Sequence, residues 1–130
     1  MNGKKGFTLL EILIVLVILA VLAGLAVPAY ISAVEKQRKQ EAISTLGAIR
    51  ASEQRYFASR NNYTQSFTDM DFDPTLAMTG NIPHYTYAAP VTTSATAYTA
   101  VATRNTTDRP AAVAAYTVTI NQDGTITSTY

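Results

Sequence analysis

Glu11 stands four residues after Phe7, at the mouth of a long apolar run where a carboxylate should be expelled. On insertion scales a charge at a helix centre costs roughly 2.5–3.5 kcal/mol, less near the interface, so ionisable residues in such segments are functional by default. Meeting a cation is one such function. A cut between Gly6 and Phe7 would place the new Phe7 amine, a positive charge, at the edge of the bilayer. Apolar helices stacked side by side with an axial offset would then bring the Glu11 carboxylate of one subunit to the Phe7 amine of its neighbour. In low dielectric that pair is far better than either charge alone. It would fix register more than add bulk stability, as polar groups in apolar helix interfaces do elsewhere.

Three other carboxylates have suggestive spacing. In "DMDFDP", Asp69, Asp71 and Asp73 alternate, which is how a calcium loop begins. Pro74 takes the position of the EF-hand glycine and Gly80 that of the closing glutamate, so the EF-hand geometry fails. Calcium in a different geometry, with Asp123 as a further ligand, is a secondary expectation. Turn-forming or capping aspartates are the plainer one, and no resident cofactor is expected. His84 is the only histidine and cysteine is absent, which excludes a His-rich metal site, disulfides and thiolate chemistry. With neither a Gly-x-Ser-x-Gly elbow nor a phosphate-binding glycine loop, the expectation is not an enzyme. His84, between Pro83 and Tyr85, reads as the start of a strand. Lys plus Arg total 10 against 9 for Asp plus Glu. That balance leaves no basic field and no evident nucleic-acid site. Asn62-Tyr63-Thr64 and Asn105-Thr106-Thr107 match the short glycosylation acceptor pattern, which arises often by chance.

The elements that must hold these residues follow from hydropathy. No residue from Ile12 to Val34 is charged, and from Ile12 to Val27 only Gly24 interrupts the Leu/Ile/Val/Ala run. About 20 apolar residues span a bilayer core as a helix. A chain of 130 residues cannot wrap a helix that is apolar on every side, so membrane insertion at some stage is expected. Lys4 and Lys5 precede the run, and Lys36, Arg38 and Lys39 follow it, tempered by Glu35 and Glu41, so charge alone leaves the orientation open. Pro28 marks a bend or loosened turn, and Tyr30 suits an interfacial belt. An ordinary signal cut after Ala29 would discard Glu11 and leave a secreted binding domain. A single-pass anchored protein that never polymerises is the other alternative.

Beyond the run, Ala42, Ile43, Leu46, Ile49, Tyr56 and Phe57 recur at three- and four-residue spacing, one apolar stripe of a helix. Tyr56 and Phe57 suit a helix–sheet core, and Glu35 and Lys39 a solvated face. One helix from Phe7 to about Ala58 is expected, roughly 75 Å long, followed by a loop over 59–84. "HYTYAAP", "AYTAVAT" and "AAYTVTI" alternate with period two and read as strands. "YTVTI", "NQDG" and "TITSTY" read as an antiparallel hairpin with Gly124 at the position that tolerates positive φ. Tyr116, Val118 and Ile120 would face the helix, and Thr117 and Thr119 water. "RNTTDRP", Arg104 to Pro110, reads as an exposed charged loop. The fold class is α+β: a long N-terminal helix packed against a small C-terminal antiparallel sheet.

The stretch "KKGFTLLEILIVLVILAVLAGLAVPAY" closely resembles the class III signal of type IV pilins and of the related type II secretion pseudopilins. The resemblance covers roughly the first quarter of the chain and implies a pilin fold. It implies that Gly6 is the cleavage-site glycine, Phe7 the N-methylated first mature residue, Glu11 the assembly glutamate and Pro28 the helix-kinking proline. It divides the chain into a leader at 1–6, a transmembrane and filament-core part at 7–28, an amphipathic part at 29–58, an αβ loop at 59–84 and a sheet at 85–130. Prepilin peptidase, an inner-membrane assembly platform, membrane lipid before assembly and further copies in a helical filament are the implied partners. The precursor would lie in a bacterial inner membrane, single-pass with its N-terminus inside, before joining an extracellular pilus or a periplasmic pseudopilus. A type IV pilin supporting adhesion, twitching motility or DNA uptake is the first expectation, and a pseudopilin the alternative. The missing C-terminal cysteine pair leans toward pseudopilins or toward pilin lineages without the disulfide, and some pseudopilins carry a structural calcium.

Overall fold

The uncharged run and the amphipathic stripe behind it form one uninterrupted helix. In the computed structural model, which describes residues 6–76, 84–107, 110–111 and 113–129, α1 extends over Leu9–Arg60, 52 residues, and continues through Pro28. It ends where Asn61 turns left-handed, at φ 56°, while its N–H still donates to the Phe57 carbonyl at 2.8 Å. Asparagine is one of the few residues that takes this conformation readily. The leader residues 1–5 lie outside the described residues.

The chain divides into two compact units, Met1–Lys36 and Gln37–Tyr130. In the first unit the apolar side chains are exposed around the whole helix: Leu9 is 84% exposed, Leu16 60% and Leu25 74%. The helix is long and apolar enough to cross a membrane. Glu35 departs from the expected solvated face: it is 4% exposed and engaged by a partner, as a buried carboxylate must be.

In the second unit, α1 buries Ala42, Leu46, Ile49, Ser52 and Glu53 at helical spacing. The sheet is an antiparallel meander, β1 (Tyr85–Ser94), β2 (Ala97–Arg104), β3 (Thr117–Asn121) and β4 (Ile126–Ser128), in the order β1-β2-β3-β4. Its alternation is the expected one: Tyr85 and Tyr87, then Tyr98, Ala100 and Ala102, then Val118 and Ile120 are buried, while the residues between them face out. Register aligns Thr86, Thr103 and Thr117 in one cross-strand row of the outer face, and Ala88, Val101, Thr119 and Thr127 in the next. Pro90, which has no N–H to donate, falls where the β1 register shifts between Ala88 and Val91, and β1 is an edge strand.

The β3–β4 hairpin turns as read from "NQDG". The Gly124 N–H donates to the Asn121 carbonyl at 3.0 Å, and Gly124 sits at φ 87°. A Cβ there would also come within 3.2 Å of the Arg50 guanidinium carbon. Arg50 approaches this closely because its Nε donates to the Gln122 carbonyl at 3.1 Å, tying the turn to α1.

Two further expectations need correction. Arg104 does not open an exposed loop: it ends β2 and is 1% exposed. Its Nη1 donates to the His84 carbonyl at 2.8 Å and to the Asn105 carbonyl at 3.3 Å, and its guanidinium lies 5.7 Å from the Tyr85 ring centroid. Those carbonyls and that ring replace water around the charge. Tyr56 is not part of the helix–sheet core: its ring lies beneath Arg60, 5.3 Å from centroid to guanidinium carbon. Phe57 does reach the sheet, through Tyr63 and then Tyr98, each step 4.7 Å between ring centroids.

Candidate functional site

The candidate site at the start of the helix is built from four consecutive kinds of residue: Gly6, Phe7, Thr8 and the Leu-Leu-Glu turn that follows. Gly6, Phe7 and Thr8 are non-helical and exposed, with Phe7 78% exposed. A bond in accessible, irregular backbone suits a peptidase, which must thread it through its own cleft. A Cβ added at Gly6 would meet nothing within 4 Å. Among the described residues, then, no neighbour requires a glycine at this position.

Glu11 has a role that the spacing argument missed. The Thr8 N–H donates to Glu11 Oε2 at 3.3 Å, and the Glu11 N–H donates to Thr8 Oγ1 at 3.2 Å. This reciprocal pair is a capping box, in which two N–H groups without helical partners are satisfied at once. Its signal, Thr-x-x-Glu ahead of an apolar run, was present in "TLLE". The box holds the carboxylate back over the first turn, beside the residue that follows Phe7, where the positive end of the helix dipole also favours it. Pro28 lies far along the same helix, which continues on both sides of it.

The aspartates of the loop after α1 do not converge. Arg55 donates to both Asp71 carboxylate oxygens, Nε to Oδ2 at 2.6 Å and Nη2 to Oδ1 at 2.8 Å, and Ser52 donates to Oδ1 as well. Arg55 first, then Ser52, hold the Asp71 carboxyl down at about 2. Asp69 accepts from the Thr64 hydroxyl at 3.0 Å, beside the single turn of 3-10 helix over Phe67–Asp69. Asp73 accepts from the Thr75 N–H at 2.8 Å, the Asx turn expected of such a residue. Asp123 lies in the β3–β4 turn, near the Gln122 side-chain amide at 3.2 Å. Among the described residues no three His, Cys, Asp or Glu side chains come together to hold a metal ion. His84 lies directly before β1, the strand-start position.

Between the end of α1 and this loop is an open groove of about 220 Å³, lined by Ser52, Arg55, Tyr56, Arg60, Asp69 and Asp71 among others. Its two guanidiniums and two carboxylates balance, and Asp71 is already engaged by Arg55.

Sequence reading also missed Glu53. Its side chain is fully buried. Oε2 accepts from the Thr64 N–H at 3.2 Å, pinning the loop to the helix, whereas among the described residues Oε1 has no hydrogen-bond partner, nor has the nearby Tyr98 hydroxyl. Burial raises the Glu53 carboxyl above its ordinary range, with the Thr64 N–H partly opposing. Burial and then the Glu53 charge likewise raise the Tyr98 hydroxyl. A raised carboxyl contributes stability that is fully present below 4.5 and lost as pH climbs through the native value. Asp71 acts oppositely, losing its contribution as pH falls from 3.8 toward about 2. Thermal melts of the detergent-solubilised protein should therefore rise as pH drops from neutrality toward 4.5, then fall in stronger acid. Glu53→Gln keeps an oxygen for Thr64 and should flatten the first limb only. An unchanged limb in that variant would assign it to another group.

With this geometry described, comparison with known proteins yields two matches. A family model described as the prokaryotic N-terminal methylation motif matches residues 1–27. A second, described as "type IV minor pilin ComP, DNA uptake sequence receptor", matches residues 28–112. No curated protein matches the chain, and no solved structure does.

Proposed function

Because the chain belongs to the type IV minor pilin ComP family, whose model covers residues 28–112 behind an N-terminal methylation motif, we propose that it is a filament subunit cleaved after Gly6, methylated on the Phe7 amine and packed into a type IV pilus through α1. The observation that carries this reading is the pairing of an exposed apolar first half of α1 with a carboxylate held in a capping box at its start. An apolar helix without a partner in its own chain needs lipid or copies of itself, and a carboxylate near its end needs a cation. The apolar helix and the processing motif fit a membrane-anchored precursor that later joins the pilus.

A pilus is preferred over a periplasmic pseudopilus because the matching family beyond residue 27 is one of pilins. Among adhesion, twitching motility and DNA uptake, the same description favours DNA uptake. The head brings no net charge to that contact, since acidic and basic residues are equal in number over 37–130. DNA contact through this chain would accordingly be weak alone and depend on presentation in a filament.

Intact mass and N-terminal sequencing of the protein recovered from cells test the processing. The expected product starts at Phe7 and carries one added methyl group. A product starting at Tyr30 would have lost Glu11 and the apolar helix, and the filament reading with them.

A further inference from the structure

Glu53 sits under the loop that follows α1 with too few donors for a charge. It is 0% exposed, and Thr64, which closes over it, is buried as well. Of its two oxygens, Oε2 accepts from the Thr64 N–H, while among the described residues Oε1 and the neighbouring Tyr98 hydroxyl have no hydrogen-bond partner. A carboxylate held away from water needs a cation or several donors, and one N–H is not enough. The protonated carboxyl needs less. One oxygen still accepts from Thr64, and the O–H becomes a donor in a site that holds a hydroxyl oxygen. We infer that Glu53 is a proton-operated latch on this loop: neutral, it keeps the loop closed on the helix, and ionised, it opens the loop so that water reaches the charge. The device lies wholly in the head and asks nothing of the filament reading.

The contacts that close the loop converge on Thr64. Its N–H meets Glu53, its hydroxyl donates to Asp69 Oδ2 at 3.0 Å, and the same hydroxyl accepts from the Ser66 N–H at 3.1 Å. Beside it the Tyr63 ring lies between Phe57 of α1 and Tyr98 of β2. Gln65 donates to Thr92 of β1, an exposed neutral contact that water can replace. Two anchors bound the segment that moves. On one side the Asn61 N–H closes α1 on the Phe57 carbonyl. On the other, Arg55 and Ser52 hold Asp71, whose carboxyl titrates only at about 2. The ionisable groups that face the Glu53–Tyr98 pair are Arg50 of α1 and Tyr63 of the loop, with Asp69 one hydrogen bond beyond Thr64. Arg50, the cation among them, gives its Nε to the Gln122 carbonyl. Burial raises the Glu53 carboxyl above 4.5 while the loop is closed, and an open loop returns it to water. Opening therefore becomes easier as pH climbs from 4.5 through the closed-loop value, then levels off. The same segment gives Asp69 and Met70 to the wall of the groove beside Arg60, so the latch also sets the shape of that groove.

The test is backbone hydrogen exchange on the full chain in detergent, read by NMR from pH 4.5 to about pH 7.5. Each amide is expressed as protection relative to its unstructured rate, which removes the intrinsic effect of pH on exchange. The Thr64 amide should lose about five-fold or more of its protection over this range. It should also stay about ten-fold or more below the β3 amides and respond little to dilute urea, as a local opening does. Glu53→Gln keeps an oxygen for Thr64 and cannot ionise, so its Thr64 protection should stay level with pH. Asp69→Asn alters the other carboxyl that Thr64 touches and should leave the fall in place. Thr64 protection that ignores pH in the wild-type protein would overturn the proposal. So would a Thr64 amide that exchanges only together with β3, which would make Glu53 a group of global stability alone. Persistence of the fall in Glu53→Gln, or its loss in Asp69→Asn, would assign the titration elsewhere and overturn it too. Should Glu53→Gln fail to fold, the wild-type series and Asp69→Asn still decide.

Discussion

Glu11→Leu should yield a subunit that inserts in the membrane and is cleaved, yet is nearly missing from pili, with incorporation down roughly 100- to 1000-fold. The magnitude follows from the proposed pairing, in which the substitution leaves the Phe7 amine of each neighbour without its counter-charge. Removing one partner of a buried ion pair costs about 3–5 kcal/mol, and each 1.4 kcal/mol is about a factor of ten. The leucine also removes half of the capping box, whose loss alone is worth about 1 kcal/mol. Two further variants separate these effects. Thr8→Val loses the hydroxyl that caps the Glu11 N–H but keeps the carboxylate, and should lower incorporation less than about ten-fold. Glu11→Gln keeps an oxygen for the Thr8 N–H and removes the charge, so it should resemble leucine. Quantitative immunoblots of membrane and sheared-pilus fractions read all three. Normal incorporation of Glu11→Gln would mean that the cap, not the charge, is what assembly requires. If the filament serves DNA uptake, transformation frequency should follow the pilus fraction across the series.

What the sequence disclosed, and what it did not, follows the range of each interaction. The helix, the hairpin at Gly124 and the inward set Tyr116, Val118 and Ile120 were legible because periodicity and turn chemistry are local. The Gly6–Phe7–Glu11 segment was legible as part of an N-terminal methylation motif. Its capping box was equally local and was passed over, since the carboxylate had been read only for its charge. Glu53 was illegible for a different reason. A glutamate in an amphipathic helix usually faces water, and nothing near it in sequence announces that Thr64 will arrive with an unpaired N–H. Arg104 was misread in the same way, because its companions, the His84 carbonyl and the Tyr85 ring, are 20 residues away and meet it only when β1 pairs with β2. The alternating aspartates part company in the fold: Asp69 and Asp73 find local donors in Thr64 and Thr75, whereas Asp71 is held by Ser52 and Arg55 of α1, 19 and 16 residues away.

The second large effect lies in the head. Leu46→Ala should destabilise it by about 2–5 kcal/mol, the range for deleting a fully buried leucine side chain. Leu46 is 0% exposed and sits between Ala42 and Ile49 on the buried face of α1, both also 0% exposed. Around a fully buried side chain the structure relaxes only partly after truncation. The cavity term therefore adds to the lost transfer energy. For a domain of 60–100 residues each 1 kcal/mol shifts Tm by about 4–8 °C, so a fall of roughly 10–30 °C is expected by circular dichroism. Domains of this size hold only about 5–15 kcal/mol in all, so the substitution takes a large share of the head's stability at the lower end of that range. Ile43 belongs to the same sequence stripe but is half-exposed. Ile43→Ala should cost less than half as much, because its neighbours and water can close over the gap. Equal losses at the two positions would mean that the stripe, not the buried row of Ala42, Leu46 and Ile49, marks the face that holds the sheet.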